Sequence, residues 1–162
     1  MDFKNKVVLI TGASSGIGKQ TAIEFAKLGS NIILVARRKD KLEQVENELK
    51  QFNVTTLICP CDVSKKDQVE IMSKTVLEKF NFVDILVNNA GFAIYGSVLD
   101  LSIEEIESQM ETNYFGMIYC TKNFLPLMLK KKSGHVVNVA SVAASFGLPG
   151  IASYCASKFA ML

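Results

Sequence analysis

Five short apolar runs recur along the chain, and the segments between them change to helical spacing. Val7–Ile10, Ile32–Val35, Thr55–Cys59, Val83–Val87 and Val136–Val139 are brief and rich in β-branched residues. Runs of that length, apolar at most positions, fit strands buried on both faces of a parallel sheet. From Ile17 the pattern changes to helical spacing, carried by Ala22, Phe25 and Ala26, with Gly29 as a stop. Leu42, Val45, Leu49 and Phe52 mark a second amphipathic helix, and Val69, Met72, Val76 and Phe80 a third. Ser102 with Glu105 three residues on forms a capping-box pattern that starts a helical stretch reaching towards Lys132. A break before Asn113 or a kink near Pro126 is expected within it. Lys130–Lys132 suits the negative end of that helix, and Gly134 is a C-cap candidate. Helical character resumes at about Ser153.

Strict alternation of strand and helix predicts an α/β fold. The expected architecture is a Rossmann-like, doubly wound parallel sheet with right-handed crossovers and about five strands. In such a sheet ligands bind beyond the carboxyl ends of the strands, which directs attention to the residues after Ile10, Val35, Cys59, Val87 and Val139.

The first crossing reads Thr11-Gly12-Ala13-Ser14-Ser15-Gly16-Ile17-Gly18. Glycines there let the backbone approach a pyrophosphate, and the following helix N-terminus offers unpaired N–H groups to the anion. The spacing is GxxxGxG, and Gly18-Lys19 is followed by Gln20, so it is not a P-loop. The second run ends in Ala36-Arg37-Arg38 rather than in a carboxylate. Arginine pairs with a 2′-phosphate that an acid would repel, so NADP(H) is favoured over NAD(H), with Arg37 ahead of Arg38 as the selector.

Composition narrows the field further. The 162 residues are 49% hydrophobic with a net charge of +2, which suits one packed domain and does not suit a nucleic-acid binder. The amino terminus has no long apolar segment, and no run approaches the ~20 residues of a membrane span. Cys59, Cys61, Cys120 and Cys155 lack metal-ligand spacing and the lone His135 supplies no cluster, so no metal site is expected. Reduced thiols fit a cytoplasmic protein.

With these motifs in order, the chain resembles the short-chain dehydrogenase/reductases over its whole length. Thr11–Gly18 is similar to the TGxxxGxG cofactor motif, and Asp62-Val63 to the acidic–apolar pair beside the adenine. Asn88-Asn89-Ala90-Gly91 matches NNAG, Asn113 the active-site asparagine, Ser141 the active-site serine, and Tyr154 with Lys158 the YxxxK pair. The resemblance implies hydride transfer between a nicotinamide and a carbonyl or alcohol carbon. It makes Tyr154 the acid/base; Lys158 lowers the tyrosine pKa and binds ribose. Ser141 orients the substrate, and Asn113 serves a proton relay. The cofactor-binding set is Gly12, Ser14, Ser15, Gly16, Ile17, Gly18, Arg37, Arg38, Asp62, Val63, Asn89, Ala90 and Gly91, joined by Tyr154 and Lys158. A homo-oligomer acting on a small carbonyl or alcohol compound is implied. Apolar Phe92, Ile94, Val142, Phe146 and Leu148 are expected at the substrate side.

Family members continue beyond YxxxK with two further strands. Residues 1–162 are therefore expected to form a single NADP(H)-binding Rossmann domain that is C-terminally incomplete. The alternative is a truncated, catalytically inactive nucleotide-binding or self-associating module.

Overall fold

A computed structural model describes residues 2–162. Five parallel strands, β1 (Val7–Thr11), β2 (Asn31–Ala36), β3 (Thr56–Pro60), β4 (Ile85–Asn88) and β5 (His135–Asn138), lie in the order β3-β2-β1-β4-β5. The chain runs outward from β1 to β3, then returns to the other side of β1 with β4. The reversal leaves a crevice between the carboxyl ends of β1 and β4, where ligands bind in open sheets of this kind.

Alternation along the central strands decides which helix covers which face. Leu9, Ile33 and Leu86 share one side, where Val69, Met72 and Val76 of α3 (Lys66–Phe80) meet Cys120, Phe124 and Met128 of α5 (Gly116–Lys131). Val8, Ile10, Ile32 and Leu34 point to the other side. They pack on Ala22 and Ala26 of α1 (Gly16–Lys27) and on Leu42, Val45 and Leu49 of α2 (Lys39–Leu49). The small alanines let α1 approach the sheet closely beside the crevice.

The stretch from Ser102 behaves as its pattern predicts at its start. Ser102 Oγ accepts from Glu105 N, and Glu105 Oε2 accepts from Ser102 N, capping α4 (Ile103–Met110). The expected break near Asn113 is a π turn, Glu111–Phe115, that inserts a bulge while the helix continues into α5 and through Pro126. At the end of α5 the left-handed residue is Lys132 (φ 51°), not Gly134. Lys132 N–H reaches back to Leu129 O and Ser133 N–H to Met128 O, so the chain has already turned before the glycine.

The last helix, α6 (Ala152–Phe159), packs against α4 and the π turn. β5 forms one edge of the sheet, with His135, Val137 and Asn138 exposed. No helix of the described residues is long and apolar enough to cross a membrane.

Candidate active site

A cavity of about 550 Å³ opens at the carboxyl ends of the strands, running from the β2–α2 turn to α6. Its floor is the β1–α1 loop. Gly12 (φ 66°) and Gly16 (φ 54°) take left-handed backbone conformations, and Gly12, Ser14, Ser15, Gly16 and Ile17 line the cavity. Ser15 is the N-cap of α1, but its side chain makes no capping bond, and no acidic residue occupies the first turn. The N-terminal N–H groups of α1 are therefore left free of a side-chain cap, and an anion bound in the cavity could accept from them.

Gly18 does not line the cavity; it is buried behind the loop. A Cβ there would collide with the carbonyl oxygen of Gly12 and lie 2.5 Å from Asn89 Nδ2. That amide donates to Thr11 O at 2.9 Å and ties the β4 turn to the β1 loop. Gly18→Ala is expected to break the tie. Urea unfolding should show a loss of about 1–3 kcal/mol, the usual cost of overpacking, with nucleotide affinity falling at the same time.

At the far end of the cavity, Arg37 and Arg38 follow β2 and are exposed on its rim. Arg38 is also the N-cap of α2, so both cations sit at the positive end of a helix. Among the described residues neither arginine makes a salt bridge. Asp62 and Val63, beyond β3, form the neighbouring wall. Asp62 Oδ1 accepts from Ser64 N (3.0 Å) and Ser64 Oγ (2.8 Å), which fixes the carboxylate. Cys61 also lines this wall, but burial pushes its thiol up to about 12, so it stays protonated. All four cysteines are free and buried, and among the described residues no acid, histidine and cysteine group could hold a metal.

Thr11 supports the turn after β4. Its Oγ1 accepts from the N–H groups of Asn89 and Ala90, each at 3.0 Å. Asn89, Ala90 and Gly91 thus curve along the cavity wall. Asn88 faces away from it, donating through Nδ2 to Thr121 Oγ1 and Asn138 Oδ1 and so holding β4 to α5 and β5.

Tyr154 and Lys158, one turn apart on α6, both line the opposite end of the cavity from the arginines. Lys158 Nζ donates to Val139 O at 2.8 Å and lies 5.8 Å from the centre of the Tyr154 ring. Burial lowers the Lys158 pKa from its ordinary 10.5. Asn113 is fully buried beneath them. Its Oδ1 accepts from Phe92 N, and its Nδ2 donates to Phe92 O and to Ser157 Oγ, all at 2.9 Å. Ser157 in turn donates to Tyr154 O at 2.7 Å. Sequence reasoning passed over Ser157, although its place three residues after Tyr154 puts it on the inner face of the same helix.

Ser141 does not line the cavity. Its Oγ accepts from Ala143 N at 3.1 Å and caps the short 3₁₀ turn Val142–Ala144, which leaves its own O–H to donate. Of the five apolar residues expected at the substrate side, only Phe92 lines the cavity. Val142 and Phe146 are 69% and 48% exposed, because the turn that carries them buries Ala143 and Ala144 instead.

The short chain dehydrogenase family model matches residues 6–162. The chain belongs to the short-chain dehydrogenase family. Among its relatives in this family is the Anopheles gambiae Dehydrogenase/reductase SDR family protein 7-like, 41% identical over 161 residues, which are 96% of this chain and 51% of that protein. The chain spans about half the length of several curated relatives it matches. Two solved structures superpose on nearly all of it. An NAD⁺-bound xylitol dehydrogenase does so with a TM-score of 0.95 at 31% identity, over 99% of this chain and 62% of that one. A metagenomic short-chain oxidoreductase in complex with NADP gives 0.95 at 30% identity, over 99% and 73%.

Proposed function

We propose that this chain provides the nucleotide site and acid–base groups of an NADP(H)-dependent oxidoreductase acting on a small carbonyl or alcohol compound. The observation that carries the reading is the placement of three features on one cavity. An anion-binding helix end lies at its middle, two unpaired arginines at one end, and Tyr154 with Lys158 at the other. The residues fit a nicotinamide dinucleotide. No Cβ obstructs the floor at Gly12 or Gly16, and the pyrophosphate would meet the open N-terminus of α1. Asp62 and Val63 would flank the adenine, while Arg37 and Arg38 would face a 2′-phosphate. Such neighbours as the xylitol dehydrogenase and the metagenomic oxidoreductase bind NAD⁺ and NADP respectively, so the choice between them rests on the arginines.

A bound nicotinamide supplies or accepts the hydride. As a carbonyl oxygen gains negative charge, Tyr154 delivers a proton to it. Lys158, held beside the ring by Val139 O, would hold the ribose and would stabilise negative charge on the phenol oxygen as that proton leaves. Ser141 donates its free O–H to the substrate oxygen. Asn113 serves the relay behind the lysine by fixing the floor, since both amide hydrogens are committed to Phe92 O and Ser157 Oγ.

Two measurements test this. Purified protein is expected to bind NADPH more tightly than NADH, and a carbonyl compound is expected to drive loss of NADPH absorbance. No nucleotide binding would overturn the reading. The exposed edge of β5 favours one second reading, a nucleotide-binding module that self-associates through that edge. It predicts a mass in solution that depends on protein concentration, without turnover. A homo-oligomeric state is part of the first reading as well, and a cytoplasmic location is in keeping with four buried, unpaired thiols.

A further inference from the structure

Gln109 is fully buried and has no part in the motifs described above. Its Oε1 accepts from Ile94 N at 3.1 Å, and its Nε2 donates to Glu105 O at 3.2 Å. Four residues on, Asn113 exchanges two hydrogen bonds with Phe92. Gln109, in the last turn of α4, and Asn113, in the π turn that follows, therefore hold the backbone of residues 92–94 by side-chain hydrogen bonds at both of its ends.

That segment borders the reaction end of the cavity. It begins at Gly91, where an added Cβ would lie 3.4 Å from Lys158 Nζ. Phe92 and Ala93 line the cavity, and Gly96 N–H donates to Gly150 O in the loop before α6. Tyr154 lines the same cavity.

We infer that Gln109 is a positioning residue that holds the Phe92–Ile94 wall in place for the carbonyl substrate, a role that rests on the oxidoreductase reading. Asn113 holds the cofactor-proximal end of the segment, so loss of Gln109 frees only the distal end. Removing the acceptor leaves a backbone N–H unpaired in a buried position, and the segment moves to satisfy it.

The test uses Gln109→Leu and the longer, more flexible Gln109→Met. Both are expected to raise KM for a carbonyl substrate about tenfold, the size of one lost hydrogen bond, with kcat and NADPH affinity close to the parent. Amide exchange in residues 92–96 should rise by a similar factor while that of the β1–α1 loop stays unchanged. Unaltered exchange at residues 92–96 in a folded variant overturns the inference, as does an equal fall in kcat with KM unchanged. If the parent protein shows no turnover, the oxidoreductase reading fails. Faster exchange confined to residues 92–96 would still support Gln109 as the anchor of that wall.

Discussion

Tyr154→Phe is expected to reduce carbonyl-dependent NADPH oxidation by about 10²–10⁴-fold, the range by which a positioned acid accelerates proton transfer. The substitution removes one oxygen and keeps the ring. Tyr154 is only partly buried and its backbone carbonyl, not its hydroxyl, carries the hydrogen bond from Ser157. The helix should therefore stay in place, with thermal stability unchanged and NADPH affinity reduced far less than turnover. Stopped turnover with binding retained is the outcome that assigns the proton to this residue. A variant that retains turnover would move the acid elsewhere, and one that loses binding would make Tyr154 a support of the pocket. Lys158 gives an independent check through pH. Burial lowers its pKa from 10.5, so the ammonium is fully present well below that shifted value and is lost as the pH rises through it. Turnover that depends on the ammonium should decline on the alkaline side at a lower pH than an ordinary lysine would allow. Anionic nucleotide nearby would push the decline back upward.

Much of the architecture was legible because the central strands are apolar at nearly every position and the helices are not. The runs around Leu9, Ile33 and Leu86 could only be buried on both faces. The misplaced boundaries have local causes. The fourth apolar run begins at Val83, yet β4 starts at Ile85. Asp84 lies between, its carboxylate bonded to Lys6 Nζ and Val7 N and its own N–H to Val7 O. The positions of Tyr154 and Lys158 on one helical face followed from their spacing. What they face did not, because it depends on contacts between residues far apart in the chain. Asn113 meets Ser157 across 44 residues, and Gln109 meets Ile94 across a loop and a helix start. A buried glutamine has no periodic signature that separates it from a surface one. The substrate-side apolar residues illustrate the same limit. Phe92 and Phe146 are alike in kind, but the backbone of one is held at the cavity by Asn113 and the other is exposed beyond a turn that buries Ala143 and Ala144.

The nucleotide selector gives the second large effect, and its charge arithmetic is open to direct test. Arg37→Ala is expected to weaken NADPH binding by about 10–100-fold, corresponding to the ~1.5–3 kcal/mol of a hydrogen bond to a charged group. NADH binding should not change, since that nucleotide carries no 2′-phosphate. The exposed position of Arg37 favours the lower end of this range, because water and salt screen the pair. Two features of the chain act in the other direction. Arg38 is the N-cap of α2, so a phosphate there would also meet the positive end of a helix. The two arginines also stand next to each other without a carboxylate partner among the described residues, which makes the free site electrostatically unfavourable. Binding a dianion relieves that repulsion. Arg37→Asp should therefore go beyond loss of preference. It places a carboxylate at the end of β2, where it can accept from a ribose 2′-hydroxyl and repel a phosphate, and the order of affinities should reverse towards NADH. Raising the salt concentration should narrow the NADPH–NADH gap of the parent protein and leave that of Arg37→Ala nearly constant. A gap that ignores both salt and Arg37 would place the discrimination elsewhere in the pocket, with Arg38 the next residue to substitute.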